Sequence, residues 1–399
     1  MEIDQPDRTM DAPDHSRQLE LPPIILGGAG FSYQIHPDPK SIPIPEIIRR
    51  AFDVGMRAID TSPYYEPSEQ LLGEALASPE VTDKYSRSDY ILMTKAGRIS
   101  ADQFDYSAEW IQKSVQRSLE RLGTSYLDVV FCHDVEFVSM EEAIEAVGAL
   151  FELSEKGQVR FVGISGYSID RLVRIAHTVQ KQYNRPLDIV QNWAQMTLQN
   201  TRLERYGIPA LRGAGVSTIC SSSPLASGLL RAGDVPSGKL GDWHPAPDGL
   251  RSAVKQASNW VEKQGSTLAG LALRFSLARA NRASKDGVSV HTILGICSLS
   301  DIESNVHAAQ TIFQAKQESD EVDISALQDI NEEIERVDLG LCHRVRGMLG
   351  EWVEYDFETG KKESKVPLWR RREFFAVVIL SLPMLVWSSG FNPVAWWHR

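Results

Sequence analysis

Four ionisable side chains lie close to the ends of three short apolar segments in the first third of the chain. Asp60 lies in RAIDTS, and Tyr65 follows it by five residues. Lys95 lies in YILMTKAG and His133 in LDVVFCHD. A tyrosine, with an ordinary pKa of about 10, is a poor base at neutral pH, but a neighbouring lysine ammonium favours the phenolate. A buried aspartate keeps that lysine charged, and a histidine can hydrogen-bond a substrate oxygen, so the set predicts a device for proton transfer.

Each of the four residues also has a simpler explanation when it is taken alone. A tyrosine at a strand end often packs against the rim, a histidine there is usually a hydrogen-bonded structural group, and a lysine usually points to solvent. An Asp-Thr-Ser run most often caps a turn or a helix. The arrival of all four on consecutive segments favours chemistry over these separate explanations.

The segments that carry these residues belong to a longer alternation of strands and helices. Short β-branched runs, which predict strands, are separated by segments with apolar residues at helical spacing, such as SMEEAIEAVGALFELSEKG. The eight predicted strands are PIILGGAG, RAIDTS, YILMTKAG, LDVVFCHD, RFVGISG, LDIVQNW, VSTICSSS and HTILGIC. This order predicts an α/β fold of the (β/α)8 TIM barrel type with a C-terminal extension. In such a barrel the four residues meet at the C-terminal rim of the strands.

A doubly wound parallel sheet is the rival fold, and it needs a glycine-rich phosphate turn directly before a helix. Gly27, Gly28 and Gly30 do follow the first predicted strand. The next segment, PDPKSIPIP, is too rich in proline to begin a helix at once. The sequence therefore favours the barrel.

The barrel is predicted to occupy residues 21–320 of a chain of 399 residues. Residues 1–20 are polar, carry no secretory signal and are predicted to be a disordered lead-in. Residues 321–366 are predicted to form an amphipathic helix, with its acidic side chains outward on the barrel's flank, and a polar tail. Residues 367–399 are an apolar segment, uncharged over 374–397 but interrupted by prolines. The sequence leaves open whether this segment is a membrane anchor, packed structure or an artefact of gene prediction.

Composition limits the classes of partner. The net charge of −11 and the pI of about 5.4 argue against a nucleic-acid surface built on a general basic excess. The four widely spaced cysteines form no CxxC pair, which is typical of a reducing compartment and argues against a disulfide framework. We therefore expect a cytoplasmic protein, with attachment to a membrane through residues 374–397 as the alternative.

No metal-ligand cluster accompanies the four residues in the sequence, and a nicotinamide fits them because hydride transfer needs a paired proton transfer at an oxygen. GMRAIDTSPYY resembles the signature of the aldo-keto reductase superfamily, and the resemblance runs from about Leu21 to Asn305. It implies a TIM barrel whose catalytic tetrad is Asp60, Tyr65, Lys95 and His133. The five-residue spacing selects Tyr65 rather than its neighbour.

The same resemblance implies residues that bind the cofactor. Ser165 and Gln191 stand where the family binds the nicotinamide carboxamide, although Gly166 replaces an asparagine. Ser222 stands where many members carry an aromatic side chain that stacks on the nicotinamide. The following segment SPLASGLL, with Leu225 and Ser227, is expected to cover the cofactor. A glycine-hinged loop without a ligand is its alternative explanation.

The segment ILGICSLSDIESNV departs from the family pattern in a way that indicates NAD. Gly295 and Asp301 stand where many NADP-dependent members carry a lysine and an arginine that hold the 2′-phosphate. An aspartate repels a phosphate and accepts hydrogen bonds from a ribose hydroxyl. Asp301 can also simply begin the next helix, where an acid is favoured by the dipole, and both roles are compatible. Asn305 is the expected adenine contact.

These departures resemble one branch of the superfamily, the NAD-dependent aldose 1-dehydrogenases. What the resemblance implies is oxidation of a free sugar, D-arabinose or a similar aldose, to its lactone, with Tyr33 and Trp193 lining the sugar pocket. An NADPH-dependent reductase of aldehydes or ketones is one alternative. A redox-sensing, cofactor-binding regulatory subunit like the potassium-channel β subunits, which share this scaffold, is another. The sequence leaves the particular sugar and the oligomeric state open.

Overall fold

Eight parallel strands close into a barrel in the computed structural model of the protein, which describes residues 19–231, 235, 244–314, 322–327 and 329–358. The barrel strands are β1 Ile24–Gly27, β2 Ala58–Asp60, β3 Ile91–Ala96, β4 Leu127–His133, β5 Val159–Gly166, β6 Ile189–Trp193, β7 Thr218–Ser222 and β8 Ser289–Gly295. Each strand pairs in parallel with the next, and β8 pairs with β1 in the register Ile24↔Thr292. The predicted (β/α)8 barrel and all eight predicted strands are confirmed.

Helices surround the barrel and connect its strands. They are α1 Ile44–Asp53, α2 Ser68–Leu76, α3 Pro79–Thr82, α4 Ala108–Leu122, α5 Met140–Glu155, α6 Ile169–Tyr183, α7 Ile208–Gly213, α8 Asp248–Glu262, α9 Leu268–Ala283, α10 Leu299–Ile312 and α11 Glu332–Leu349. Two short strands, β9 Phe313–Gln314 and β10 Asp329–Ile330, pair outside the barrel. The connections after β2 and β7 each hold two helices.

The helix boundaries follow the local sequence signals. The Ser139 hydroxyl accepts from the backbone N–H of Glu142, whose carboxylate accepts in return from the Ser139 N–H, so α5 begins with a capping box. The helix stops two residues before Gly157, which takes a left-handed φ of 75°. Such caps satisfy backbone groups that the helix itself leaves unpaired, and they fix where each helix meets its strand.

The interior of the barrel, below the C-terminal ends of its strands, is a small apolar cluster. It contains Leu19, Ile25, Ala58, Met93, Val129, Phe131, Ile189, Cys220 and Ile293. Leu19, which falls in the predicted lead-in, is 7% exposed and belongs to this cluster. Residues 1–18 lie outside the described residues. The outer faces of the strands pack against the helices in a second, larger core.

The C-terminal extension differs from its prediction. The helix α11 begins at Glu332 and continues to Leu349, so it starts later in the chain than the predicted segment and reaches further. Its acidic side chains do not all face outward. Asp338 is buried and accepts two hydrogen bonds from Arg274 of α9, at 2.7 and 2.8 Å, and Glu335 pairs with Arg282. These arginines are distant in sequence, so the amphipathic pattern of α11 alone did not reveal which of its acids are paired.

The segment after α11, predicted as polar loop or tail, packs on the barrel as far as residue 358. Its anchor is Glu354, which is 1% exposed. The Glu354 carboxylate accepts from the backbone N–H of Thr201 at 2.9 Å, from the Thr201 hydroxyl at 2.7 Å and from Arg346 at 2.8 Å. The extension therefore holds the loop that follows β6. The predicted apolar segment 367–399 lies outside the described residues, and no helix within the described ranges is long and apolar enough to cross a membrane.

Candidate active site

The predicted site residues occupy the inward face of the barrel strands, two positions beyond the apolar interior. Side chains alternate along a strand, so residues two apart share a face. Met93 is followed in this way by Lys95, and Phe131 by His133. The same relation holds for Ala58 and Asp60, Ile189 and Gln191, Cys220 and Ser222, and Ile293 and Gly295. One apolar layer thus supports a ring of polar groups at the C-terminal mouth.

Lys95 and Asp60 form a buried ion pair at this mouth. The Lys95 ammonium donates to both Asp60 carboxylate oxygens at 2.8 Å and to the Thr61 carbonyl oxygen at 2.9 Å. Lys95 is 2% exposed and Asp60 is 3% exposed. Burial alone would lower the pKa of Lys95, but the Asp60 carboxylate and the nearby phenol of Tyr65 outweigh it and raise that pKa above its usual range. The mouth therefore holds a fixed positive charge.

Tyr65 lies beside this charge, and the ammonium nitrogen of Lys95 is 5.1 Å from the centre of its ring. The sequence predicted that Lys95 would favour the phenolate, and its charge does act in that direction. Burial of the phenol is the stronger effect, and it raises the pKa of Tyr65 to about 12. Lys95 thus acts as predicted, and the larger effect of burial becomes visible only in the folded structure.

His133 is neutral and its hydrogen bonds indicate its tautomer. Burial lowers the pKa of His133 to about 3, and the positive charges of Lys95 and Arg98 add to the effect while Asp134 opposes it. The Ser62 hydroxyl accepts from the backbone N–H of Tyr64 at 3.1 Å and lies 3.0 Å from Nδ1 of His133.

A hydroxyl that already accepts one N–H can donate its own proton to Nδ1. The other ring nitrogen, Nε2, lies 3.5 Å from a carboxylate oxygen of Asp134, which favours a proton on Nε2. We assign the tautomer on these contacts, so His133 presents Nε2–H as a donor. The phenol of Tyr65 is close by, since the two rings meet edge to face with centroids 5.8 Å apart.

The residues predicted to bind a nicotinamide carboxamide fit that group. Ser165 and Gln191 are 3% and 5% exposed and are paired across neighbouring strands. The Ser165 hydroxyl donates to the Cys132 carbonyl oxygen at 3.3 Å, which leaves its oxygen able to accept. The amide oxygen of Gln191 is buried and has no hydrogen-bond partner among the described residues. An unsatisfied buried acceptor is costly, and the NH₂ of a carboxamide would satisfy it.

The space beside Gly166, which replaces the family's asparagine, is occupied by another side chain. A Cβ atom at Gly166 would lie 2.1 Å from a carboxylate oxygen of Glu136, so this carboxylate occupies the space of a side chain. The other oxygen of Glu136 accepts from the backbone N–H of Tyr167 at 2.7 Å. Burial and the neighbouring Asp134 raise the pKa of Glu136 to about 8. The contact between Glu136 and Gly166 could not be predicted from the sequence, because Glu136 belongs to a different loop.

The loop after β7, which carries Ser222, Leu225 and Ser227, bends through several left-handed residues. Ser223, Ala226 and Ser227 have φ values of 57°, 49° and 54°. The ring of His244 lies 2.9 Å from the Ala226 carbonyl oxygen, so the bent loop is also fixed from outside. Ser222 is buried at the mouth, whereas Leu225 and Ser227 are partly exposed. The predicted cofactor contact of these three residues stays a prediction.

The residues predicted to select the cofactor lie at the end of β8 and the start of α10. Gly295 is exposed, and a Cβ atom there would meet open space. One carboxylate oxygen of Asp301 accepts from the backbone N–H of Cys297 at 2.9 Å, while its own N–H donates to the Ser298 hydroxyl at 3.1 Å. Asp301 therefore does stabilise the start of α10, as the simpler explanation held. Its contact with a ribose, like that of the half-buried Asn305 with adenine, stays a prediction.

The two residues predicted to line the sugar pocket differ in their surroundings. Tyr33 is 52% exposed on the loop after β1, and its backbone N–H donates to the Glu66 carbonyl oxygen at 3.0 Å. Trp193, at the end of β6, packs on Tyr167 with ring centroids 4.7 Å apart. Tyr167 in turn accepts from the backbone N–H of Phe357 at 2.9 Å. The C-terminal extension thus reaches the wall that carries Trp193.

Sequence reasoning missed three polar residues of the mouth. Ser62 orients His133, Asp134 follows that histidine directly, and Arg98 forms an ion pair with Asp134. A simple signal existed for each, since Ser62 lies inside the Asp-Thr-Ser run and the other two lie within three residues of Lys95 or His133. Polar residues beside a catalytic side chain at a strand end are candidates for the same site.

Comparison with known proteins agrees with this geometry. The sequence pattern of the Aldo/keto reductase family matches residues 23–325, and the chain belongs to that family. It is 40% identical to D-arabinose 1-dehydrogenase of Saccharomyces cerevisiae over 258 residues, which are 64% of this chain and 75% of that protein. It is 37% identical to L-galactose dehydrogenase of Arabidopsis thaliana over 264 residues, which are 65% of this chain and 76% of that protein.

A solved structure supports the fold. The aldo-keto reductase AKR11C1 from Bacillus halodurans, in its holo form, superposes with a TM-score of 0.55 and 23% sequence identity, covering 82% of this chain and 95% of the other. The chain is therefore an oxidoreductase of the aldo-keto reductase family, whose members use a nicotinamide cofactor.

Proposed function

We propose that the protein is an NAD-dependent aldose 1-dehydrogenase that oxidises a free sugar, D-arabinose or a similar aldose, at C1 to its lactone. The observation that carries the proposal is the buried Lys95–Asp60 pair, 2.8 Å apart, with the phenol of Tyr65 beside it. The similarity to two sugar dehydrogenases supports the choice of substrate class.

The residues of the mouth divide the proton chemistry between them. Tyr65 accepts the proton of the C1 hydroxyl, and the charge of Lys95 stabilises the phenolate that this requires. The Nε2–H of His133 donates to the same sugar oxygen and fixes its position. Bound nicotinamide supplies a hydride acceptor for the hydrogen on C1. Loss of the hydroxyl proton and of that hydride together leaves the C=O group of the lactone.

NAD rather than NADP is proposed from the charge at the start of α10. Asp301 is half-buried there, and a carboxylate disfavours a 2′-phosphate by like-charge repulsion. Gly295 itself offers no side chain to a phosphate, and apart from its chain neighbours no heavy atom of the described residues lies within 4 Å of where its Cβ would be. Activity in the cytoplasm is proposed with it, because all four cysteines are free thiols, as is typical of a reducing compartment.

The test is a spectrophotometric assay of the purified full-length chain at 340 nm. D-arabinose, L-galactose and L-fucose are offered with NAD and, separately, with NADP, and a simple aldehyde is offered with NADPH. We expect reduction of NAD by one of the sugars at a kcat/KM at least about tenfold above that with NADP. Aldehyde reduction with NADPH but no sugar oxidation would make the protein a reductase. Cofactor binding without turnover of any substrate would favour a regulatory subunit.

A further inference from the structure

A second carboxylate, that of Asp134, lies beside the catalytic histidine, and the proposed proton chemistry gives it no contact with the sugar. Asp134 follows His133 directly and has a left-handed backbone, with φ 60° and ψ 58°. This conformation is uncommon for residues other than glycine, though aspartate tolerates it, and it costs free energy that the fold must supply. It brings a carboxylate oxygen of Asp134 to 3.5 Å from Nε2 of His133. In the proposed function, that nitrogen donates its hydrogen bond to the sugar oxygen on C1.

Asp134 is paired with a guanidinium from the neighbouring strand connection. Arg98 lies three residues after Lys95 and forms an ion pair with Asp134. The guanidinium also donates to the Tyr64 hydroxyl at 3.2 Å and lies over that ring, 4.0 Å from its centre. The side chains of Arg98 and Asp134 are 17% and 10% exposed. They form a largely buried donor–acceptor pair. Arg98 is held by its contact with Tyr64, and Asp134 is held by its place directly after β4.

Stability alone does not explain such a pair. Removing two charges from water costs about as much as their attraction returns, and apolar replacements of similar volume are often as stable. The left-handed backbone at Asp134 adds a further cost. A costly polar pair next to a reacting centre indicates a role in binding.

We infer that Asp134 and Arg98 bind the C2 hydroxyl of the aldose, the hydroxyl on the carbon next to the one that is oxidised; this inference rests on the proposed function. An oxygen held by Nε2–H of His133 is the C1 oxygen, and the C2 oxygen of the same sugar is one hydrogen-bond length away from it. The Asp134 carboxylate lies 3.5 Å from Nε2, so the two groups are close enough to contact neighbouring oxygens of one sugar. The carboxylate accepts a hydrogen bond from the C2 hydroxyl, and the guanidinium donates one to the oxygen of that hydroxyl.

This subsite makes the C2 hydroxyl a condition for efficient turnover. Hydrogen bonds to ionised groups are stronger than those between neutral groups. A site built to bind a substrate hydroxyl strongly rejects an analogue that lacks it, because the polar groups of the protein are then left unpaired. The requirement for the C2 hydroxyl does not depend on the size of the sugar ring or on the choice between NAD and NADP. It can therefore be tested separately from those two questions.

The experiment compares each aldose with its 2-deoxy analogue. The pairs are D-arabinose with 2-deoxy-D-ribose, which is D-arabinose without its C2 hydroxyl, and L-galactose with 2-deoxy-L-galactose. The preference is the ratio of the two kcat/KM values with saturating NAD. For the wild type we expect a preference of at least about 100-fold for the hydroxylated sugar. For Asp134→Asn, which keeps the shape but not the charge, we expect that preference to fall by about tenfold or more.

The matched control removes another buried ion pair that links the same two strands, β3 and β4. This pair lies at their N-terminal ends, whereas Arg98 and Asp134 lie beyond their C-terminal ends. Asp128, at the start of β4, accepts from Arg87 at 2.6 Å, and its side chain is 4% exposed. Asp128→Asn is expected to lower the melting temperature and to leave the sugar preference unchanged. This variant separates loss of a buried ion pair from loss of a substrate contact.

Several results would overturn the inference. A wild-type preference close to one means that no group of the protein reads the C2 hydroxyl. Equal losses on both sugars in Asp134→Asn, with an unchanged preference, mean that the pair only holds the loop after β3. Failure of the wild type to oxidise any aldose removes the proposed function itself, and that result is visible before any variant is measured.

Discussion

The floor and the mouth of the barrel are built from the same strands but stabilised in different ways. At the floor, Phe131 and its neighbours are fully buried in apolar contact. At the mouth, Lys95 and Asp60 are almost as buried, yet they are charged and held by hydrogen bonds of 2.8 Å. The side chains of the floor and of the mouth are only two residues apart on each strand, as Phe131 and His133 are on β4. Exclusion of water and dense apolar packing stabilise the floor, whereas charge and hydrogen bonds hold the side chains of the mouth.

The largest expected effects come from replacing one residue in each region. Phe131→Ala at the floor is expected to lower the free energy of unfolding by about 3–5 kcal/mol, because it removes buried area and leaves a cavity. Activity per folded molecule should stay within a few-fold at a temperature where the variant is folded. Denaturant unfolding followed by circular dichroism measures the first quantity, and steady-state rates measure the second.

Lys95→Met is the matched change at the mouth, and it keeps the length of the side chain. It removes the charge beside Tyr65, so kcat for sugar oxidation should fall by about 10²–10⁴-fold. Loss of stability alone in Lys95→Met, together with loss of activity alone in Phe131→Ala, would contradict the assignment of catalysis to the mouth and of stability to the floor.

The pH dependence sharpens the description of the mouth. Tyr65, with its pKa raised to about 12, must lose its proton for a sugar to be oxidised, and the deprotonated fraction below that pKa grows tenfold per pH unit. The kcat/KM for sugar oxidation should therefore rise about tenfold per unit between about pH 7 and 9. Aldehyde reduction needs the protonated phenol and should stay level over the same range.

His133 adds no break to either profile, because its pKa of about 3 keeps it neutral throughout. A level profile for oxidation, or a break near the ordinary histidine pKa of about 6.5, would contradict the assignment of Tyr65 as the proton acceptor.

The smallest expected effect is on cofactor choice at the edge of the mouth. Asp301→Asn keeps an oxygen that can accept from the Cys297 N–H but removes the negative charge. The ratio of kcat/KM with NADP to that with NAD should rise about tenfold, which corresponds to about 1.4 kcal/mol. Glu303→Gln is the control, since it removes the same charge from α10 at a residue that pairs with Arg50. A rise of equal size in both variants would place the effect in the general charge of the helix.

Much of the barrel could be predicted because its signals are local. Each strand is a short β-branched run, and the position of Asp60, Lys95 and His133 at strand ends follows from the strands themselves. The choice of Tyr65 over Tyr64 came from the family resemblance, because the order of the strands does not distinguish the two. The pairing of β8 with β1, which closes the barrel, is then expected from the presence of eight strand–helix units.

The parts that could not be predicted depend on contacts between distant segments. The inward acids of α11 meet arginines more than fifty residues away, as in Arg282–Glu335. The carboxylate of Glu136, from another loop, occupies the space beside Gly166. The raised pKa of Tyr65 is a balance between burial and a nearby charge, and a sequence gives neither magnitude. In each case a tertiary arrangement decides between two chemically reasonable outcomes.

The most direct measurement is kcat for NAD-linked sugar oxidation by Tyr65→Phe, beside the wild type and Tyr126→Phe. Tyr126 directly precedes β4 at the other end of the barrel, so the control removes a phenolic hydroxyl far from the mouth. The account predicts a fall of about 10³-fold or more for Tyr65→Phe, with an unchanged melting temperature, and a wild-type rate for the control. A Tyr65→Phe enzyme that oxidises the sugar within tenfold of the wild-type rate would contradict the central role of this phenol.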